Sequence, residues 1–253
     1  MPHKGTFATL VLVSGLTGAP SLVSASTLPM SNWEHSFELY ALALNIEGDS
    51  ALGPLSPTID VDTRFIMDNF DKGLMFRLEG IRNNTWGYYF DYSFMDLSAK
   101  TSGPGNLVTG GFKLRQGVLE AKGFKRYDYG YASIDYMLGL RWWDNDIETS
   151  LNGPAAGAGL SREIKEDWLD FVIGVRWIRP LSDSWNFYIY GDAGLGKDTN
   201  STYALQTGFR YEMNDWSDIN LSYKSTWVDY DNKDNFAYDT KSHGFLIGLG
   251  LKF

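Results

Sequence analysis

The last eleven residues, His243-Gly-Phe-Leu-Ile-Gly-Leu-Gly-Leu-Lys-Phe253, decide how the chain is read. In an extended strand, successive side chains point to opposite faces. Phe245, Ile247, Leu249, Leu251 and Phe253 therefore share one side, and Gly244, Leu246, Gly248, Gly250 and Lys252 share the other. One face is wholly apolar and ends on an aromatic ring; the other, apart from Leu246, is small or charged. That pattern suits hydrocarbon outside and a crowded or polar interior. Such a strand needs a neighbour along each edge, and Trp33 to Ile46 at the other end of the chain is the partner that would close a barrel.

The same alternation recurs upstream. Leu169, Phe171, Ile173, Val175 and Trp177 oppose Asp170, Gly174 and Arg176; Tyr203, Leu205, Phe209 and Tyr211 oppose Gln206, Gly208 and Arg210; Ile219, Leu221, Tyr223 and Trp227 oppose Asn220, Ser222 and Lys224. Trp86, Tyr88, Phe90, Tyr92 and Phe94 form an aromatic face opposite Asp91 and Ser93. Short turns near Asn83, Arg126, Arg179 and Met213 alternate with longer connections beginning near Glu47, Ser98, Asp144 and Asp229, plus a brief one at Lys197. Short turns at one end and long loops at the other are the signature of transmembrane β-barrels. The expected fold is an all-β, antiparallel up-and-down transmembrane barrel of ten strands, with eight or twelve as alternatives. Twelve would follow if Ile59 to Asp62 paired as a further strand. The stretch Glu47 to Lys72 breaks the rhythm, with a short strand at Ile59 and one helical turn over Phe65 to Phe70. It belongs at the outer mouth, with folding into the lumen left open.

Residues 1–25 are expected to be a secretory signal peptide. A polar start at His3 and Lys4 precedes the apolar run Phe7 to Leu16, and Val23-Ser24-Ala25 is a small-x-small cleavage site. Residues 26–253 then form one barrel domain. Cleavage leaves 21 bases against 31 acids. So acidic a chain does not fit a nucleic-acid partner. It contains no cysteine, which excludes thiolate chemistry, disulfides and cysteine-ligated metals. Aromatic residues, 15% of the chain, fall at strand ends, as interfacial girdles require.

Trp33 to Asp49, Trp86 to Leu97, Tyr136 to Asp144, Trp168 to Asp192 and His243 to Phe253 together resemble a family of Gram-negative outer-membrane proteins of the opacity and OmpW-like type. The resemblance spans most of residues 26–253 and carries no catalytic signature. It implies location in the outer membrane after export through the inner membrane, with lipid and lipopolysaccharide as surroundings. It also implies that the barrel-assembly machinery reads the closing strand through Phe245, Ile247, Leu249, Leu251 and Phe253.

If the aromatic faces meet lipid, the other faces line the lumen. They carry the acids Glu38, Glu79, Asp91, Glu120, Asp135, Asp170 and Asp192 and the bases Arg77, Lys122, Arg141, Arg176, Arg210, Lys224 and Lys252. A barrel of this size is filled by its own side chains, and seven acids matched by seven bases predict a lumen charge network, with a narrow polar conduit as the alternative. Catalysis is disfavoured. Of the two histidines after the signal, His35 falls near one rim and His243 near the other, and neither has zinc-ligand spacing. Pairing His243 with Asp60, Asp62 or Asp239 is the remaining hydrolase reading. No cofactor or metal is expected. The expected role is structural or weakly porin-like, the alternative being surface recognition through acidic outer loops that include Asp146, Glu148, Glu163, Asp231 and Asp234. Oligomeric state is not legible.

Overall fold

The computed structural model describes residues 32–52, 58–102, 109–152 and 160–253. The expected signal peptide and the loop tips at 53–57, 103–108 and 153–159 lie outside the described residues.

Ten antiparallel strands close into a barrel in up-and-down order: β1 (Trp33–Leu52), β3 (Phe70–Arg82), β4 (Trp86–Ser102), β5 (Thr109–Asp128), β6 (Ser133–Asn152), β7 (Leu160–Pro180), β8 (Trp185–Gly196), β9 (Thr199–Asn214), β10 (Ser217–Asp231) and β11 (Phe236–Lys252). The closing strand pairs with the first from Ser36↔Lys252 to Leu52↔Phe236, so no edge is left at that seam. The short strand β2 (Thr58–Val61) does pair, but only with β1 over Ile46 to Asp49. It adds a flap and not a wall strand, and the count stays at ten. A seven-residue helix, α1 (Thr63–Asn69), follows it, capped by the Asp62 carboxylate, which accepts from the Phe65 amide at 2.7 Å.

The connections at one end are short: Asn83 to Thr85, Tyr129 to Ala132, Leu181 to Ser184 and Asp215 to Trp216. Both barrel termini lie at that end, where Phe253 and His35 exchange backbone hydrogen bonds of 2.9 Å each way. Asn83 and Asn84, both at φ 50°, make the three-residue turn between β3 and β4 possible. The outer wall is a continuous apolar belt that includes Leu39, Leu138, Ile173, Leu205, Leu221 and Ile247, all exposed.

Three long connections are shorter than the periodicity suggests. Ser98 to Asn106, Asp144 to Asp167 and Asp229 to Lys241 read as loops, yet strand pairing continues to Ser102↔Thr109, to Leu151↔Leu160 and to Asp231↔Ala237. The reason is an inversion of the two faces. Within the belt the outside is apolar and the inside charged. Beyond it, at the long-loop end, the outside carries Asp144, Asp146, Glu163 and Lys165, and the inside packs Leu44, Ile46, Leu97, Leu114, Trp143, Ile147, Ile164, Trp168, Phe236 and Tyr238 into one core. That half of the barrel is built like a water-soluble one. Period two survives, but its polarity changes sign.

Glycines on the inner face of the closing strand make room for charge. A Cβ at Gly248 would lie 2.7 Å from Glu38 Oε1, and one at Gly250 would lie 2.6 Å from Asp218 Oδ1. The alternating glycines that mark this strand in the sequence are thus the space into which two carboxylates from neighbouring strands fold.

Candidate functional site

The inward side chains of the belt meet in one connected charged layer. On the β5–β6–β8 side, the Lys122 ammonium contacts Glu120, the Tyr190 hydroxyl and Asp192. Arg141 reaches both Asp192 oxygens from Nη2, at 2.9 and 2.7 Å, and donates to Thr202 at 2.9 Å. Its Nε lies 3.5 Å from Glu120. On the β1–β3–β4 side, Arg77 sits 2.9 Å from Asp91 and 3.4 Å from Glu38, and it donates to the Tyr89 hydroxyl at 3.1 Å. Tyr40 donates to Asp91 at 2.8 Å. Lys224 joins the two halves, 3.4 Å from Asp91 and 3.7 Å from Glu120. Glu38 is further held by Arg210 at 3.0 Å and Asn220 at 2.9 Å.

A second tier lies toward the short-turn end. Arg176 bridges Glu79 at 2.8 Å and Asp135 at 2.9 Å, and Arg126 clamps Asp135 from Nε and Nη2 at 2.6 and 2.9 Å. Lys252 pairs with Glu212 at 2.9 Å. Asp170 stands apart from these pairs: it accepts from the Trp143 indole at 3.1 Å. Most of these groups are fully buried, Arg141, Asp135 and Asp170 at 0% exposure, so the ion pairs other than Lys252–Glu212 form in a largely desolvated setting where an unmatched charge would be costly.

Several members are not among the fourteen charges picked out by alternation. Arg126 reads as a turn residue, because the Tyr127 to Tyr131 stretch masks the end of β5. Asp218, at 0% exposure and 3.5 Å from Arg210, is hidden by its place beside the Asn214-Asp215 turn. Tyr40, Tyr89, Tyr190 and Gln206 complete the network as neutral donors and acceptors. Their parity placed them inside, but polar uncharged side chains give no separate signal.

Below this layer a vestibule of about 610 Å³ opens at the short-turn end, roofed by Arg77, Tyr89, Tyr190 and Gln206. Above it, between Glu120 and Lys224 on one side and the apolar core on the other, is a void of about 60 Å³. The bore is thus interrupted twice, by paired charges and by packed hydrocarbon.

The residues of the hydrolase reading do not converge. His35 hydrogen-bonds the Tyr88 hydroxyl at 2.8 Å and stacks on Trp33. His243 engages the Tyr223 hydroxyl at 2.7 Å and Glu47 at 3.3 Å on the outer wall. Since His243 pairs with Asn45 in register, ten residues along β1 from His35, the two residues are separated by about 33 Å of strand. Asp62 is the helix cap, Asp60 faces Glu47 in register, and Asp239 faces Asp49 and Asp229. Among the described residues no group of three or more His, Asp or Glu is arranged to hold a metal ion.

No protein-family model and no curated protein sequence matches the chain. Solved structures do. The outer membrane protease OmpT from Escherichia coli aligns at 8% identity over 88% of this chain and 97% of its own, with a TM-score of 0.51. The translocator domain of the autotransporter NalP from Neisseria meningitidis aligns at 12% identity over 87% and 88%, with a TM-score of 0.45. The attachment invasion locus protein Ail of Yersinia pestis aligns at 14% identity over 88% and 100%, with a TM-score of 0.37. The fold is that of Gram-negative outer-membrane β-barrels. At these identities the likeness is one of architecture, and chemistry must come from this chain's own residues.

Proposed function

We propose that this chain is a non-enzymatic, closed barrel of the outer membrane that serves the envelope as a structural element and does not conduct. The observation that carries the reading is the buried layer of Glu120, Lys122, Arg141 and Asp192 joined through Lys224 to Asp91, Arg77 and Glu38, which spans the bore between opposite walls. Paired charges at this burial leave no hydrated path, and the apolar core above them removes any polar exit. The exposed apolar belt supports placement in lipid, because in water so continuous an apolar surface would drive association. In that placement the short turns face the periplasm, the extended hairpins face outward, and Phe245 to Phe253 is the segment offered to the assembly machinery. Reconstituted into planar bilayers, the folded protein is expected to give no discrete conductance steps at moderate voltage. Regular steps from a correctly folded preparation would overturn the closed-bore reading and favour weak porin-like passage.

Surface recognition is supported by one feature, the β6–β7 hairpin that projects beyond the belt. Lys165 bridges Asp146 at 3.6 Å and Glu163 on its outer face, and Lys113 pairs with Glu148 at 2.9 Å on the neighbouring strand. These exposed pairs contribute little to stability, so the hairpin's acidic exterior is free to meet lipopolysaccharide phosphates through bridging divalent cations, which favour carboxylate oxygen, or another surface. Trimming residues 148–163 to a short turn should leave the belt folded while lowering binding of cells to a lipopolysaccharide-coated surface. Unchanged binding would remove this second role.

A further inference from the structure

The barrel wall is not continuous. β1 pairs with β3 only from Trp33↔Arg82 to Leu39↔Phe76, and its pairing along that edge resumes with β2 at Ile46. Among the described residues no strand pairs with this edge of β1 over Tyr40 to Asn45. On its other edge the same stretch pairs with Gly248 to His243, and the outward neighbours there, Phe245 and Ile247, are among the most exposed residues of the belt. The break therefore lies at the level of the apolar wall and not above it. An open sheet edge facing lipid leaves backbone groups without partners and is not tolerated in hydrocarbon.

Helix α1 covers the break. Thr63 donates from its hydroxyl to the Leu44 carbonyl at 2.9 Å, and its amide donates to Asn45 Oδ1 at 3.0 Å. Ile66 points inward into the apolar core, while Met67 is 70% exposed toward the outside. A helix satisfies its own backbone, so it can fill a wall without being part of the sheet. It is also held by much less than a strand is: one hydroxyl, one amide and one buried isoleucine.

Two cavities meet at this place. Outside, an apolar groove of about 770 Å³ runs beneath Thr63, Ile66 and Met67, across Ala41 and Ala43. Inside, the void of about 60 Å³ lies against Tyr40, Met75, Met95 and Val118. Leu42 and Leu44 line both. Residues that border a space on each face of a barrel wall mark a place where little protein separates the two.

We propose that this break is a side port through which an alkyl chain of an outer-leaflet lipid reaches the bore, with α1 as its movable plug. The outer groove holds the chain against Ala41 and Ala43. When α1 swings out, Leu42, Leu44, Met75, Met95 and Val118 receive the chain's end, so the inner void enlarges by the space Ile66 leaves. The charged layer at Glu120 and Lys224 stops the chain from going deeper. The port depends on placement of the belt in lipid and is independent of whether the bore conducts.

Because the chain has no cysteine, a single introduced thiol reports its own access. Val118→Cys, or Leu42→Cys should that variant fail to fold, would be reconstituted into phosphatidylcholine vesicles and treated with N-dodecylmaleimide or with a sulfonated, water-soluble maleimide. The expected result is labelling by the dodecyl reagent at least about tenfold faster than by the sulfonated one, as for a site reached by local opening toward lipid. Adding Asn45→Cys and Thr63→Cys, whose side chains touch at 3.2 Å in the native pair, should tie α1 down on oxidation. That lock should suppress labelling at position 118, and reduction should restore it. Failure of the dodecyl reagent to label, faster labelling by the sulfonated reagent, or equal labelling of locked and reduced forms would each overturn the side port. Leu249→Cys on the belt serves as the control: if it too resists the dodecyl reagent, the placement in lipid is what fails.

Discussion

Replacing Arg141 with leucine should lower the unfolding free energy by about 3–5 kcal/mol, the range for removing one partner from a buried ion pair. Arg141 is at 0% exposure, and its guanidinium holds both oxygens of Asp192 and approaches Glu120. Without it, Asp192 keeps Lys122 as its one cation beside the Tyr190 hydroxyl, and Lys122 must then serve Glu120 as well. Urea titration of the barrel in lipid vesicles, followed by tryptophan fluorescence, reads the change. Lys165→Ala is the matched contrast, since Lys165 is two-thirds exposed and its pairs with Glu163 and Asp146 are screened by water; a loss of about 0–1 kcal/mol is expected there. If Arg141→Leu cost no more than Lys165→Ala, the charged layer would have to be hydrated and loosely paired, and the closed-bore reading would go with it.

The second large effect concerns the end of the closing strand. Phe253 is 72% exposed, and its backbone is already held by His35 in both directions at 2.9 Å. Phe253→Ser keeps those bonds and removes only the ring. That ring contributes roughly 1.5–3 kcal/mol when transferred from water to hydrocarbon, and it is the last apolar group of the face that runs from Phe245. Assembly into the outer membrane, measured as the fraction of protein migrating as a heat-sensitive folded band, should fall several-fold. His243→Ala should leave that fraction unchanged: its ring shares the outward face but bonds to Tyr223 and Glu47 at the opposite rim, beyond the apolar run that starts at Phe245. Wild-type assembly of Phe253→Ser would remove the closing strand's role as a recognition segment.

How much of this was legible follows from how local each feature is. The alternation in Leu169 to Trp177 or Phe245 to Phe253 needs only neighbours in sequence, so strand identity and lipid-facing side could be read directly. The helical turn and short strand in the Glu47 to Lys72 excursion were also legible, from a helix-compatible run after Asp62 and a β-branched pair at Ile59 and Val61. Their place in the wall was not, because it depends on β3 turning away from β1 at Leu39. The hairpin extensions of β4 through β7 and of β10 and β11 are not legible from an alternation of one fixed polarity. Once Asp144 and Asp146 face out and Trp143 and Ile147 face in, the same period describes a strand in water.

The charged site divides in the same way. Inward parity selected the acids and bases, and near-equal numbers indicated pairing of some kind. Which carboxylate meets which cation could not be derived. Lys122 is opposite Gly139 in its own strand pair, yet its ammonium meets Asp192 on β8, across the bore. Arg77 faces Glu38 and Asp91 in register on both sides, so those two pairs are cross-strand neighbours and within reach of sequence reasoning once register is known.

By itself, then, the sequence determined an antiparallel up-and-down barrel, with ten strands favoured over eight or twelve, its closure of the last strand on the first, and the wall that meets hydrocarbon. Each of these rests on a period of two and on the need of every strand edge for a partner. Only the tertiary structure decided the matching of charges across the lumen, the inversion of faces beyond the belt and the break that α1 fills. Those depend on barrel tilt and register, which bring together side chains more than a hundred residues apart, such as Glu38 and Arg210, and no local pattern encodes a distance of that kind.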